Sequence, residues 1–332
     1  MYSEAATIAD IITAAQNIAI LQADNPDGDS LGSALALEEI LGDLGKEPYL
    51  YCGVDMPAHL RYLSGWDRVS KELPNNIDCA IIVDTSSQSL FEQAQKTGVW
   101  RQITGKPVIV LDHHKVENTI APATIVCNQP TVATGELIYE LAQQLNWPLN
   151  AGAKDAIAVS ILSDSLGLMT EATTPRSIHI IAELVEAGVN LPHIEQVRRA
   201  LGRKSPALVR YKGELLQRVT YHADDRVATV VIPWEEIERY SPEYNPSILV
   251  MDDMRQTTNT AIAIAFKQYK DGKVTAKIRC NYGFPIAAAL AETFGGGGHV
   301  YASGFKISDG TPLNDIISNS VAKATELLNE TV

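Results

Sequence analysis

The sequence is short of basic residues, of paired cysteines and of long apolar runs, and each shortage excludes a class of function. Its 332 residues carry 27 Lys and Arg against 40 Asp and Glu, a formal net charge of −13. A long nucleic-acid duplex is held by neutralising its phosphates with Lys and Arg, so a surface of this sign argues against one as partner. Any phosphorylated substrate is expected to be small and held by a local cationic site. The four cysteines, Cys52, Cys79, Cys127 and Cys280, stand apart with no C-x-x-C pair. That excludes a disulfide frame or a thiolate zinc site and leaves reduced core thiols. No run approaches the roughly 18 apolar residues needed to span a bilayer. The first residues include Glu4 and Asp10 and lack the basic start of a signal peptide. The expectation is a cytoplasmic protein with no membrane partner.

What is present is ordinary in bulk, with 45% hydrophobic and 20% charged residues, and the length suffices for two cores. The informative stretch is Val108-Ile109-Val110-Leu111-Asp112-His113-His114, a β-branched apolar run that stops at one carboxylate and two imidazoles. A buried parallel strand delivering polar groups to its C-terminal edge has this form. Two earlier segments share it: 18–23 runs into Asp24-Asn25-Pro26-Asp27-Gly28-Asp29, and 80–83 runs into Asp84.

Apolar spacing predicts helices over 5–17, over 31–44 with Asp29 or Ser30 as cap, and from about Ser89. Further helices are expected over 132–145, 151–162 (ending in Ser163-Asp164-Ser165) and 175–187, with another strand at 48–51. Strand and helix alternate, so this half is expected to be α/β with a parallel doubly wound sheet. The basic segment 198–204 reads as an interdomain linker. Beyond it, strands at 216–222, 226–232, 258–268, 273–280 and 301–307, with helices at 285–293 and the C-terminus, suggest a smaller mixed α+β domain. The expected division is 1–190, a linker at 191–205, and 206–332.

Parallel strands present their C-terminal ends on one edge, so Asp27, Asp29, Asp84, Asp112 and His113 can converge, with Asp164 near them. Two bare carboxylates about 5 Å apart repel by roughly 3 kcal/mol at an effective dielectric near 20. A cluster of four must take up protons or bind cations. Mixed Asp/His ligation suits Mn²⁺, Fe²⁺, Co²⁺ or Zn²⁺ better than Ca²⁺, and two ions with one bridging carboxylate would balance four aspartates. Taken singly the signals are weaker, since Asp27-Gly28 is also turn chemistry and Asp84 or Asp164 could serve a helix end. Gly295-Gly296-Gly297-Gly298-His299 fits neither a P-loop nor a dinucleotide fingerprint. Followed by a strand, it reads as bare backbone open to a ligand, with Arg279 able to reach a phosphate.

These residues resemble the DHH phosphoesterase superfamily, in particular its two-domain oligoribonuclease/phosphoadenosine-phosphate phosphatase members, relatives of RecJ-type exonucleases. Asp27 and Asp29 match the first motif, Asp84 the second, Asp112-His113-His114 the naming motif and Asp164 the fourth. The second half resembles the DHH-associated domain. The resemblance implies two Mn²⁺ ions: Asp27 and Asp84 at one, and Asp29, Asp84, His113 and Asp164 at the other. It implies that Asp112 orients His113 and that His114 touches the scissile phosphate or leaving group. Arg279, Gly296, Gly297, Gly298 and His299 would hold the substrate's far phosphate or nucleotide across the cleft between domains.

Expected substrates are short oligonucleotides, dinucleotides or 3′-phosphoadenosine 5′-phosphate, and a homodimer is left open. The alternatives are a manganese pyrophosphatase or polyphosphatase, or a catalytically weakened nucleotide-binding protein. The last arises because the family places a metal-binding histidine where this sequence has Ala23, with Asp24 as a potential substitute.

Overall fold

In the computed structural model, which describes residues 1–330, the apolar runs form the middle of a parallel sheet. The first unit, Met1–Arg203, opens with α1 (Ala5–Ala14), β1 (Asn17–Gln22), α2 (Gly28–Asp43) and β2 (Glu47–Cys52). It continues through β3 (Cys79–Val83), α3 (Glu92–Thr97), α4 (Val99–Ile103), β4 (Val108–Asp112) and β5 (Ile125–Asn128). Helices α5 (Thr134–Leu145), α6 (Ala151–Asp164), α7 (Pro175–Glu186) and α8 (Leu191–Leu201) complete it.

Side-chain alternation along the strands builds two cores. Ile18, Ile20, Ile81, Val83, Ile109 and Leu111 pack with α1, α2, α5, α6 and α7 on one face. Ala19, Leu21, Ala80, Ile82, Val108 and Val110 pack with α3 and α4 on the other. A strand covered on both faces must be apolar at every position, so 80–83 and 108–111 are continuous rather than alternating. The sheet is doubly wound, as expected. Its order is β2-β1-β3-β4-β5, all parallel. The chain leaves β1 for one edge and returns at β3 for the other, so a switch point lies at the C-terminal ends of β1 and β3.

Helices α2 and α6 run antiparallel in close contact. A Cβ on Gly32 would come within 2.8 Å of the Ala156 carbonyl oxygen, so glycine permits the approach. That contact brings the start of α2, bearing Asp29, beside the end of α6, bearing Asp164.

Several boundaries differ from the sequence reading for identifiable reasons. Helix α2 starts at Gly28, and its cap is Asp27, not Asp29 or Ser30: the Asp27 carboxylate accepts from the backbone of Asp29 and Ser30, and Ser30 Oγ accepts in turn from Asp27 N. Strand β5 escapes notice because it is short and only Cys127 in it is buried. Most of the expected linker, 191–205, is helix α8, capped by the Asn190 side chain. None of its residues is fully buried, so the burial signal is weak and basic residues dominate the pattern.

The second unit, Lys204–Val332, comprises α9 (Pro206–Gln217), β6 (Thr220–His222), β7 (Val227–Ile232), α10 (Trp234–Tyr240) and α11 (Pro246–Arg255). Then follow β8 (Ile262–Gln268), β9 (Val274–Cys280), α12 (Ala287–Thr293), β10 (Gly297–His299), β11 (Ala302–Ile307) and α13 (Leu313–Glu330). The sheet order is β10-β11-β9-β8-β7-β6, a mixed α+β arrangement. Residues 216–217 end a helix rather than begin a strand. Helices α10 and α11 were absent from the sequence reading; β7 and β8 pair in parallel, which requires a crossover between them. Among the described residues no helix is long and apolar enough to cross a membrane.

Candidate metal centre

The polar residues at the switch point are held by short-range backbone geometry and long-range hydrogen bonds. Asp84 follows β3 directly; its N–H donates to the Leu111 carbonyl at 2.9 Å, and its φ is +62°. A non-glycine residue in that region costs on the order of 1–3 kcal/mol and persists where its surroundings impose it. Its Oδ1 accepts from Thr134 Oγ1 at 3.2 Å. Asp29 is completely buried in the first turn of α2. Its Oδ1 accepts from Ser33 Oγ (2.9 Å), Ser160 Oγ (2.5 Å) and Gly135 N (3.3 Å), and its Oδ2 accepts from Thr134 N (2.7 Å). Those amide donors form the first turn of α5, whose dipole also favours the carboxylate.

His113 sits at the centre. Its Nδ1 lies 3.2 Å from the Thr131 carbonyl, which claims the Nδ1 proton and leaves Nε2 as the atom able to ligate. Nε2 is buried and makes no hydrogen bond. Around it stand Asp164 Oδ2 at 3.3 Å, Asp84 Oδ1 at 3.4 Å and Asp29 Oδ2 at 3.5 Å. An orphaned imidazole nitrogen ringed by carboxylate oxygens is a donor set able to hold a divalent cation. Two groups, Asp29–His113–Asp164 and Asp84–His113–His114, each bring their ligand atoms within 4.8 Å of one another.

The charge balance points the same way. Burial, and then the nearby Asp164, raise the Asp29 carboxyl; burial, and then Asp29, raise Asp84 well above the carboxylate range. Burial opposes the His113 imidazolium, but Asp164, Asp84 and Asp29 outweigh it and push His113 up to about 11. The cluster therefore retains protons where it lacks other cations.

The Asp112 carboxylate meets the ring of His114, not that of His113 as the resemblance implies. Its Oδ1 accepts from the His113 and His114 backbones (2.9 and 3.2 Å) and from His114 Nδ1 (2.8 Å), while Oδ2 accepts from Ser86 Oγ (2.5 Å). Asp112 thus orients the His114 ring, and the Thr131 carbonyl orients that of His113. Burial would raise Asp112, but the bonds from His114 and Ser86 hold it below its usual value. The hydrogen bond to Asp112 in turn raises His114.

Asp27 lines a cavity of about 180 Å³ together with Ala23, Asn25, Ser30, Asp84 and His114. Its Oδ1 is committed to the α2 cap at 3.1 and 3.0 Å, leaving Oδ2 for a ligand. Asp24, the potential substitute for the absent histidine, is not among the residues that line this cavity. Its Oδ2 accepts from Gln93 N at 2.8 Å, and its Oδ1 lies where a Cβ on Gly53 would stand. The methyl of Ala23 borders the cavity instead.

Residues that sequence reasoning missed are Thr131, Thr134, Ser160 and Ser86, which position His113, Asp29, Asp84 and Asp112. Only Ser86, in the polar turn after Asp84, carried a local signal.

The expected substrate residues lie in the second unit. A Cβ on Gly296 would stand 2.3 Å from the Gly304 carbonyl oxygen, and one on Gly298, whose φ is +142°, 2.7 Å from that of Ala302. These two glycines therefore allow the β10–β11 hairpin to close. Gly297 alone of the three has nothing within 4 Å of a Cβ, so the open backbone narrows to it. His299 is exposed, and Arg279, partly exposed, faces Ala302 across the β9–β11 ladder. Gly298→Ala is expected to cost about 1–3 kcal/mol of stability and Gly297→Ala little; paired thermal melts would check the difference.

Residues 17–173 match the DHH family, N-terminal domain, and residues 240–332 match the DHHA1 domain. The chain is 28% identical over 281 residues to the bifunctional oligoribonuclease and PAP phosphatase NrnA of Thermus thermophilus, covering 84% of this chain and 81% of that protein. It is 23% identical to the protein of the same description from Bacillus subtilis, covering 85% and 86%. An exopolyphosphatase-related protein from Bacteroides fragilis shares the fold, with a TM-score of 0.81 at 20% identity over 98% of both chains. The chain belongs to the DHH phosphoesterase superfamily.

Proposed function

We propose that the chain hydrolyses short oligonucleotides, dinucleotides or 3′-phosphoadenosine 5′-phosphate with two Mn²⁺ ions. The observation that carries this reading is the buried, unbonded His113 Nε2 facing Asp29, Asp84 and Asp164. Those four residues would hold one ion, and Asp27 with Asp84 the other, Asp84 being shared. Paired divalent ions, when bound, lower the pKa of a water and neutralise charge at phosphorus. The chain's own residues do the rest. Asp112 fixes the His114 ring through Nδ1, which leaves Nε2 to donate to a phosphate oxygen or the leaving group. Arg279, Gly297 and His299 would bind the substrate's far phosphate or nucleotide, with Gly296 and Gly298 shaping the hairpin that carries them. The descriptions of the Thermus and Bacillus relatives support a small nucleotide substrate.

The test is turnover of a 5′-labelled dinucleotide with Mn²⁺, compared with an Asp84→Asn variant and with phosphate release from pyrophosphate. Dinucleotide cleavage that depends on Asp84 supports the reading. Release from pyrophosphate alone would identify a pyrophosphatase.

Ala23 favours a second reading, a nucleotide-binding protein with weakened catalysis, because the Asp27 side of the centre has no imidazole. Metal content separates the two: two bound ions favour catalysis, one or none favours binding. The cavity beside Ala23 leaves room for a ring, so Ala23→His is expected to raise Mn²⁺ affinity on the order of 10–100-fold, a range borrowed from the cost of losing outer-shell metal partners. Isothermal titration of both forms would measure the change.

A further inference from the structure

Segment 131–135, which leads from β5 into α5, touches three of the residues that would hold an ion at His113. The Thr131 carbonyl meets His113 Nδ1, the amides of Thr134 and Gly135 donate to Asp29, and Thr134 Oγ1 donates to Asp84. Helix α5 has no side-chain cap of its own, because Ala133 stands at the cap position with no acceptor. Its first amides serve Asp29 instead. The segment is tied down by Glu136, the third residue of the helix.

Glu136 is an acid that the proposed reaction does not use, and it is only 2% exposed. Its Oε2 accepts from Val132 N at 3.3 Å and from Ser177 Oγ, in the first turn of α7, at 2.7 Å. A capping-box Glu at this position would reach the amide of the cap residue, here Ala133. Glu136 reaches one amide further back. Arg176 pairs with Glu140 and Glu183, and no ion pair involves Glu136 among the described residues. Burial raises the Glu136 carboxyl, while the bonds from Ser177 and Val132 oppose the rise. A neutral side chain of the same shape would satisfy both donors without the cost of burying a charge. The charge itself therefore calls for an explanation.

One peptide group supplies it. Val132 N–H and the Thr131 carbonyl belong to the same amide, whose N–H meets Glu136 and whose oxygen meets His113 Nδ1. We propose that this amide relays the charge of Glu136 to the His113 ring, making Glu136 a positioning residue for the metal ligand. A carboxylate at the N–H end polarises the amide and makes its oxygen a better acceptor. That oxygen then holds the Nδ1 proton more firmly, which keeps Nε2 turned toward the carboxylates and makes it a stronger donor. The arrangement is a carboxylate–histidine–metal chain with one peptide group inserted. Its two bonds, at 3.3 and 3.2 Å, are long for N–H···O contacts, so the effect belongs at the low end of what outer-shell partners contribute. The inference rests on the proposed metal centre and adds a remote residue that sets the strength of its histidine.

The experiment compares the unmodified chain with Glu136→Gln, which keeps the shape and an acceptor oxygen but removes the charge. Mn²⁺ affinity by calorimetry at neutral pH is expected to fall about tenfold. With Co²⁺ in place of Mn²⁺, the His113 Nδ1 proton should give a paramagnetically shifted NMR signal, identified with isotope-labelled histidine, and exchange with water faster in the variant. A mechanical strut would move neither reading. Ser177→Ala, which removes the tie to α7 but keeps the charge and the Val132 bond, should leave Mn²⁺ affinity nearly unchanged. A loss as large as that in Glu136→Gln would overturn the relay, as would unchanged affinity and exchange in folded Glu136→Gln. If that variant does not fold, the carboxyl carbon signal of Glu136 in the unmodified chain decides: an ionised carboxylate at neutral pH supports the relay, and a protonated one overturns it. No shifted imidazole proton in the unmodified chain with Co²⁺ would overturn the proposed centre and the relay with it. Failure of dinucleotide turnover with these signals intact overturns the proposed activity alone.

Discussion

Asp84→Asn is expected to abolish turnover and at the same time raise the thermal stability of the metal-free protein. Both effects follow from its position. Asp84 Oδ1 lies 3.4 Å from His113 Nε2, and the carboxylate would be shared by both ions. Loss of an outer-shell partner alone costs about 10–100-fold in affinity or activity; removing the shared ligand should exceed that range. In the metal-free state the same carboxylate is a burden, because burial and then Asp29 already raise it well above its usual range. An amide of the same shape keeps the bond from Thr134 Oγ1 and removes one charge from the cluster. Binding geometry maintained at the expense of stability is common at functional sites. Dinucleotide turnover and paired melts in chelator would check both halves. A variant that loses activity because it is unfolded would contradict the explanation.

The second large effect is a pH dependence of metal uptake. With no ion bound, the surrounding carboxylates push His113 up to about 11, against an ordinary value of 6.5. Above pH 6.5 the folded metal-free chain thus holds a proton that the unfolded chain has released. Its stability falls as pH rises through this window, by about 1.4 kcal/mol per pH unit for each extra proton. A ligating Nε2 must be unprotonated, so metal binding releases that proton, and affinity rises about tenfold per pH unit for each proton released. The increase in melting temperature on adding Mn²⁺ should therefore grow between pH 6.5 and 9. Titration in buffers of different ionisation enthalpy would count the protons. Affinity independent of pH would show that His113 is not a ligand.

Legibility of the fold depended on burial. Strands β3 and β4 lie between two cores, and their unbroken apolar letters declare it. Helix α8, with no fully buried residue, gives no comparable signal and resembles a linker. The start of α2 was hidden because Asp27 serves as cap while lining the cavity, and Gly28 suggests a turn.

The same distinction governs the site. Asp29, Asp84, His113 and Asp164 are readable because each ends or follows an apolar segment. What orients them is remote in sequence: Thr134 N reaches Asp29 across 105 positions and Ser160 Oγ across 131. No local pattern announces such bonds, and the exchange of partners between Asp112, His113 and His114 turns on where Thr131 falls.

The most direct measurement is anomalous scattering from a crystal grown with manganese. The account predicts a peak at bonding distance from His113 Nε2, among Asp29, Asp84 and Asp164, and a second peak between Asp84 and Asp27. Strong peaks elsewhere with none at His113 would contradict it.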